Sequence, residues 1–167
     1  MEMTSAEANK LIKQLREQMR MIRQKESGVM SFIAATTENV EDVRPAYSYE
    51  ETSAQLNRIE ESIRKIKHAL NVFNATTTPD GTGMTIDEIL VFLPQATERL
   101  RVLAAMLSKP PRFRAENTGR TNIIEYEYLN YDLETVQRDY DALSEKKTQV
   151  MTALDLVNNT VQFEVDI

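Results

Sequence analysis

Residues 56–73 read LNRIEESIRKIKHALNVF, and this stretch decides how the chain folds. Its apolar residues recur in steps of three and four, which is the heptad spacing of a helix with a continuous apolar seam. Because water solvates such a seam poorly, the pattern predicts a long helix packed against other helices of the same period. We expect this seam to be an interaction surface, formed by Leu56, Ile59, Ile63, Ile66, Leu70 and Phe73.

The composition is typical of a globular chain with one core. Of 167 residues, 41% are hydrophobic and 28% are charged, which excludes both a disordered chain and a membrane-embedded one. A chain of this length can bury a self-sufficient core, so we expect a single helical domain over residues 1–167. The formal net charge of −6 argues against a protein dedicated to nucleic acid.

Cysteine is absent, which excludes disulfides, thiolate catalysis and cysteine-based zinc sites. The polar first residues lack the apolar stretch of a signal peptide, and no apolar run is long enough to cross a bilayer. These features predict a cytoplasmic protein that does not act at a membrane.

Apolar residues with helical period predict four long helices, at about residues 5–26, 48–74, 85–107 and 132–158. The first helix is expected to begin near Ser5, since Ser or Thr is a good N-cap and Glu7 favours the positive end of the helix dipole. Thr85, followed three residues later by Glu88, has the spacing of a capping box at the start of the third. Pro94 lies inside that third helix and predicts a kink, or a break with a new helix starting there.

Three short segments have the alternation or composition of β-strands, at about residues 29–35, 122–129 and 160–167. A lone strand is not stable in water, so the C-terminal strand needs a partner. Residues 122–128 are the first choice and residues 29–34 the second. The whole pattern predicts a mainly α fold, an elongated antiparallel four-helix, coiled-coil-like bundle with a small antiparallel sheet of two or three short strands.

The chain shows no assembled catalytic, cofactor or metal motif. His68 is the single histidine, and position 65 is Lys65, so the Glu-x-x-His motif of di-iron bundles is missing. Glu38 and Glu41 have a metal-ligand spacing but fall in a predicted loop. We therefore expect no catalytic residue, no cofactor and no metal.

Tyrosines cluster around the second predicted strand, at Tyr126, Tyr128 and Tyr131. Such residues commonly form one wall of a core with their hydroxyls at its wet edge, which is the interpretation we favour. Stacking on a ligand is the alternative.

Basic residues follow a helical period on the first helix and recur in the loop at residues 108–121. We expect a solvated face, paired with Glu60 and Glu61 of the second helix. A surface for nucleic acid or for an acidic membrane is the alternative, because cations aligned on one face bind phosphates. The candidate basic residues are Lys13, Arg16, Arg20, Arg23, Arg112 and Arg114.

Three segments resemble the central signature of a known family. They are IKHALNVFNATT at residues 66–77, DG at residues 80–81 and MTIDE at residues 84–88. The chain is similar here to an uncharacterised bacterial family whose members are sometimes labelled septicolysin or septicolysin-like. The resemblance implies an N-terminal helix and a last helix followed by a short strand, and it carries no catalytic residues over to this chain.

These observations favour a non-catalytic protein-interaction or scaffold module that self-associates through its heptad seams as a dimer or a higher oligomer. One alternative is a nucleic-acid-binding accessory protein that uses the basic face of the first helix and the loop at residues 109–120. The other is a toxin-like protein or an enzyme with an unrecognised site.

Overall fold

A computed structural model describes residues 1–115 and 124–167 of the chain. These residues are mainly helical, with two small antiparallel sheets of two strands each. In chain order the described elements are β1 (Glu2–Thr4), α1 (Ser5–Val29), α2 (Val40–Val43), α3 (Tyr49–Thr76), α4 (Ile86–Leu107), β2 (Arg112–Arg114), β3 (Tyr126–Tyr128), α5 (Leu133–Thr160) and β4 (Gln162–Glu164).

Contacts divide the chain into two compact units. The first unit combines Met1–Asn74 with Leu156–Ile167, and the second is Ala75–Asp155. The single helical domain expected over residues 1–167 stays a prediction, because this division does not show whether the two units fold together as one domain.

In the first unit, α1 and α3 run antiparallel. Ile12 and Ile66 share one core near the start of α1, whereas Arg23 contacts Glu60 further along it. That core is completed by Met3 and Val165 of the small sheet. The heptad period of both helices explains why their apolar sides meet.

The helix α1 begins at Ser5, where the sequence predicted its start. Thr4, and not Ser5, is its N-cap, and Thr4 forms a capping box with Glu7. Ser5 is buried instead, and its hydroxyl has no hydrogen-bond partner among the described residues. Thr4 is the cap because it has the Glu three positions on that a capping box requires.

The partner expected for the C-terminal strand was also wrong. β4 pairs antiparallel with β1, with Met3 opposite Phe163. The half-buried Phe163 ring stacks on Phe73 of α3 at 4.8 Å between ring centroids, and Met3 opposite it is buried, so this pairing places both side chains against the core. The strand expected at residues 29–35 does not form, because α1 continues to Val29 and residues 30–35 have no strand.

The second unit begins with a turn and a capped helix. Gly81 and Gly83 have φ of 75° and 65°, values that favour glycine, and the turn leads to Thr85. Thr85 and Glu88 form the predicted capping box of α4. The helix is continuous through Pro94, so the expected break does not occur. Pro94 is exposed, and water can therefore solvate the carbonyl that lacks a donor there.

Helices α4 and α5 of the second unit run antiparallel. The Lys146 ammonium lies 5.4 Å from the centroid of the Phe92 ring, and the Tyr131 hydroxyl, just before α5, donates to the carbonyl of Met106 at 2.8 Å. Between the two helices the chain forms the ribbon β2–β3. β3 lies inside the predicted strand at residues 122–129, of which 122 and 123 lie outside the described residues, whereas β2 occupies a segment predicted as loop.

Candidate functional site

The two carboxylates that have a metal-ligand spacing in the sequence both bind neighbouring residues of the same segment. Glu38 accepts a hydrogen bond from the backbone of Ala35 at 2.7 Å, and Glu41 pairs with Arg44 at 2.8 Å. The hydrogen bond that the Arg44 guanidinium donates to Glu41 lowers the pKa of the Glu41 carboxyl. His68 is exposed on α3. Within residues 1–115 and 124–167, no group of three or more His, Cys, Asp or Glu side chains could hold a metal ion.

The heptad seam of α3 lies largely inside its own unit. Ile66 and Phe73 are buried, and the four other seam residues are half-buried. Ile63 and Ile66 pack on the core formed with Met3 and Ile12, so part of the seam is used in folding.

The basic face of α1 is partly neutralised. Arg20 pairs with Glu17, and Arg23 pairs with Glu60 of α3 at 3.0 Å, which confirms the expected contact with Glu60. Glu61 instead pairs with Lys65 on its own helix at 3.4 Å. Lys13 and Arg16 are exposed.

The most apolar exposed segment joins α1 to α3. We call residues 30–48 the connection; its one regular element is the single turn α2. Ile33 is 95% exposed and Met30 is 66% exposed. Clusters of exposed apolar side chains mark contact surfaces, and long connections without regular structure are commonly functional. The other exposed apolar residues there are Val40, Val43 and Tyr47, with Tyr49 at the start of α3.

Local contacts hold the connection in one conformation. Asn39 caps α2 by accepting from the backbone of Glu41 at 3.3 Å. The Arg44 guanidinium lies over the Phe32 ring at 5.3 Å, a cation–π contact that also covers part of the aromatic face. These contacts give parts of the connection a defined local structure.

Tyr47 fastens the far end of the connection to α1. Its hydroxyl donates to Oε1 of Glu26 at 2.6 Å. This hydrogen bond, followed by burial and by the nearby negative charge, raises the pKa of Tyr47 to about 12. The two residues border a cavity of about 390 Å³ between α1 and α3 of the first unit.

A second exposed surface lies on the ribbon β2–β3. Arg112 is directly opposite Tyr128, and Arg114 is directly opposite Tyr126, so all four side chains share one face. We call these four residues the Arg/Tyr face. The Arg112 guanidinium lies 4.7 Å from the centroid of the Tyr126 ring.

The core position expected for the strand tyrosines was wrong. Tyr126 is 46% exposed and Tyr128 is 63% exposed, whereas Tyr131 is half-buried. All three residues of β3 are exposed, so this strand forms no wall of a core, and the register places both strand tyrosines on the same face as Arg112 and Arg114.

Sequence reasoning missed the connection because its apolar residues follow no single period. The signal was its composition, since Met30, Phe32 and Ile33 stand together and are followed by Val40 and Val43. A segment without period cannot direct all of its apolar side chains into one core.

Comparison with known proteins supports the fold and gives no function. No protein-family model matches the chain, and no curated protein matches it. A solved structure, that of a functionally unknown conserved protein from Corynebacterium diphtheriae, is similar with a TM-score of 0.56 and 15% identity over 98% of this chain and 100% of that one. At this identity the likeness shows the fold alone. None of the described helices combines the length and apolarity needed to cross a membrane.

Proposed function

We propose that the protein is a non-catalytic interaction module that associates with a second copy of itself through the connection. The observation that carries this proposal is the number of exposed apolar side chains within residues 30–48, of which Ile33 is the most exposed. Burying such side chains between two molecules contributes about 1.5–3 kcal/mol each.

A second copy suits the connection because its charges are self-complementary. Glu41 and Arg44 lie side by side and are both exposed. Across a two-fold axis the same patch meets itself, so Glu41 of one copy would lie near Arg44 of the other. Apolar residues around such a pair give the mixed composition of protein interfaces.

We propose that the heptad seams contribute less to self-association than the connection does. Leu56, Ile59 and Leu70 are half-buried, which leaves each a limited area for a partner. An elongated antiparallel bundle of the four long helices is the scaffold that we propose for presenting the connection. We propose the cytoplasm as its location, since a chain without cysteine suits a reducing compartment.

The alternatives have less support. Nucleic-acid binding through α1 is disfavoured because Arg20 and Arg23 are already paired with carboxylates. The resemblance to the septicolysin-labelled family, and with it a toxin-like role, stays a prediction.

Sedimentation velocity on the wild type and on Ile33→Glu tests the proposal. At about 0.5 M salt, surface charges are screened while apolar contacts persist. Ile33→Glu places a charge in both halves of a two-fold contact, so we expect the dimer dissociation constant to rise by at least about 100-fold.

The matched control is Val91→Glu, a change at an exposed apolar residue of α4 outside the connection. It should dimerise like the wild type. A wild-type protein that is monomeric at about 100 µM, a concentration that populates even weak dimers, would contradict the proposal.

A further inference from the structure

The Arg/Tyr face has the amino-acid composition of a hot spot, the small set of residues that supplies most of the binding energy of a protein interface. Arginine and tyrosine are the residue types that most often dominate binding energy between proteins. Arg112 and Arg114 are exposed and form no ion pair with a described residue. Their spacing along the strand is about 7 Å, with a tyrosine opposite each.

The other ribbon, β1–β4, exposes the opposite charge. Glu2 lies directly across from Glu164, and both are exposed. Like charges directly opposite each other destabilise an antiparallel pair. Neither carboxylate forms an ion pair with any residue in the described part of the chain. A cationic partner would remove this repulsion.

We infer that the Arg/Tyr face of one copy docks on the Glu2–Glu164 pair of a second copy. Each guanidinium can donate two parallel hydrogen bonds to a carboxylate, and the flanking tyrosine rings exclude water from those bonds. This inference shares with the proposed function the idea of self-association, but it uses different surfaces.

A second copy fits the Arg/Tyr face better than a nucleic acid does. The face offers two arginines, whereas the chain as a whole carries a net charge of −6 and repels a polyanion. The carboxylate pair on β1–β4 presents two negative charges at a strand-pair spacing of about 5 Å, which two neighbouring arginines can reach.

The contact joins two different surfaces, so it is head-to-tail. Each copy that docks through its Arg/Tyr face still presents its own Glu2–Glu164 pair to a further copy. Interfaces of this kind close into rings or grow into open chains.

A charge-swap experiment tests the contact. All proteins carry Ile33→Glu, which removes the connection dimer, and any purification tag is cleaved because Glu2 is close to the N-terminus. One variant carries Arg112→Glu with Arg114→Glu, and the other carries Glu2→Arg with Glu164→Arg. Association is measured by sedimentation velocity at low salt, and circular dichroism checks that each variant keeps its helices.

We expect each swapped variant alone to associate at least about 100-fold more weakly than the Ile33→Glu parent, because each would place like charges together. Mixing the two variants restores opposite charges at the contact and should restore association. Salt should weaken both the parent and the mixture.

Three outcomes would overturn the inference. In the first, the parent is monomeric at low salt. In the second, the mixture associates no better than either variant alone. In the third, a labelled single-stranded oligonucleotide binds the wild type but not the variant with Arg112→Glu and Arg114→Glu, while that variant self-associates as strongly as its parent. Each of these outcomes leaves the connection dimer untouched, so this inference and the proposed function fail separately.

Discussion

At the scale of single residues, Ile66 and Ile33 show how position decides the role of one side chain. Ile66 on α3 is 0% exposed, and Ile33 in the connection is 95% exposed. Ile66→Ala should therefore reduce the free energy of unfolding by about 2–5 kcal/mol, because it removes transfer energy and leaves a cavity. Urea denaturation followed by circular dichroism measures the loss.

The matched control is Ile33→Ala, which removes the same atoms. It should change the free energy of unfolding by no more than about 0.5 kcal/mol and should weaken self-association instead. If both substitutions destabilise the monomer equally, the exposure assigned to the connection is wrong.

The sequence could locate Ile66 but could not locate Ile33. Ile66 repeats with the period of a helix, so its burial follows from the seam. Ile33 lies beyond the end of α1, where no period predicts which side chains face solvent. Local spacing also identified Thr85 as a cap, from its distance of three residues to Glu88.

At the scale of elements, the connection depends on the bond between Tyr47 and Glu26. The raised pKa of Tyr47 means that folding favours its neutral form. The stabilisation is complete below the ordinary value of 10 and is lost as the pH rises through about 12. The connection should therefore stay fastened to α1 at neutral pH and detach in strong alkali.

Alkaline titration of tyrosine absorbance checks this expectation. The difference between wild type and Tyr47→Phe isolates one of the six tyrosines, and its midpoint should lie near 12. In a Glu26→Ala background the same difference should titrate near 10, since the acceptor is gone. Tyr47 titrating near 10 in the wild type would show that the bond does not form.

Strands were predicted less well than helices because of their length. Each strand has three residues, too few for alternation to stand out from chance. Pairing partners also depend on distant residues, as Phe163 shows by stacking on Phe73. The four long helices have 22 to 28 residues, or about three to four heptads, so their existence follows from local spacing alone.

At the scale of the whole molecule, we have proposed two different contacts for each copy. Together they predict an assembly whose mass grows with protein concentration. The contact that we propose through the connection would give a closed two-fold dimer, whereas the one that we propose between the ribbons would be open. The weight-average mass of the wild type at low salt should therefore rise beyond the dimer with concentration. Arg112→Glu with Arg114→Glu should stop at the dimer, as light scattering can measure.

An arginine variant that grows like the wild type would show that another surface extends the assembly. A wild type that stops at the dimer would remove the ribbons as a contact. The sequence indicated self-association through the seams, but it could not separate the two surfaces, because neither the connection nor the ribbons share the heptad period.

The pairing of β1 with β4 has a consequence for synthesis. The backbone of Val165 donates to Met1 and its carbonyl accepts from the Met1 ammonium, a contact across 164 positions. Ala75–Asp155, by contrast, is continuous in the chain. During translation the second unit is synthesised completely before β4, so it can fold while α1 and α3 still lack that strand. The first unit can close only after β4 has been made, so α1 and α3 stay without that part of their core while residues 75–155 are translated.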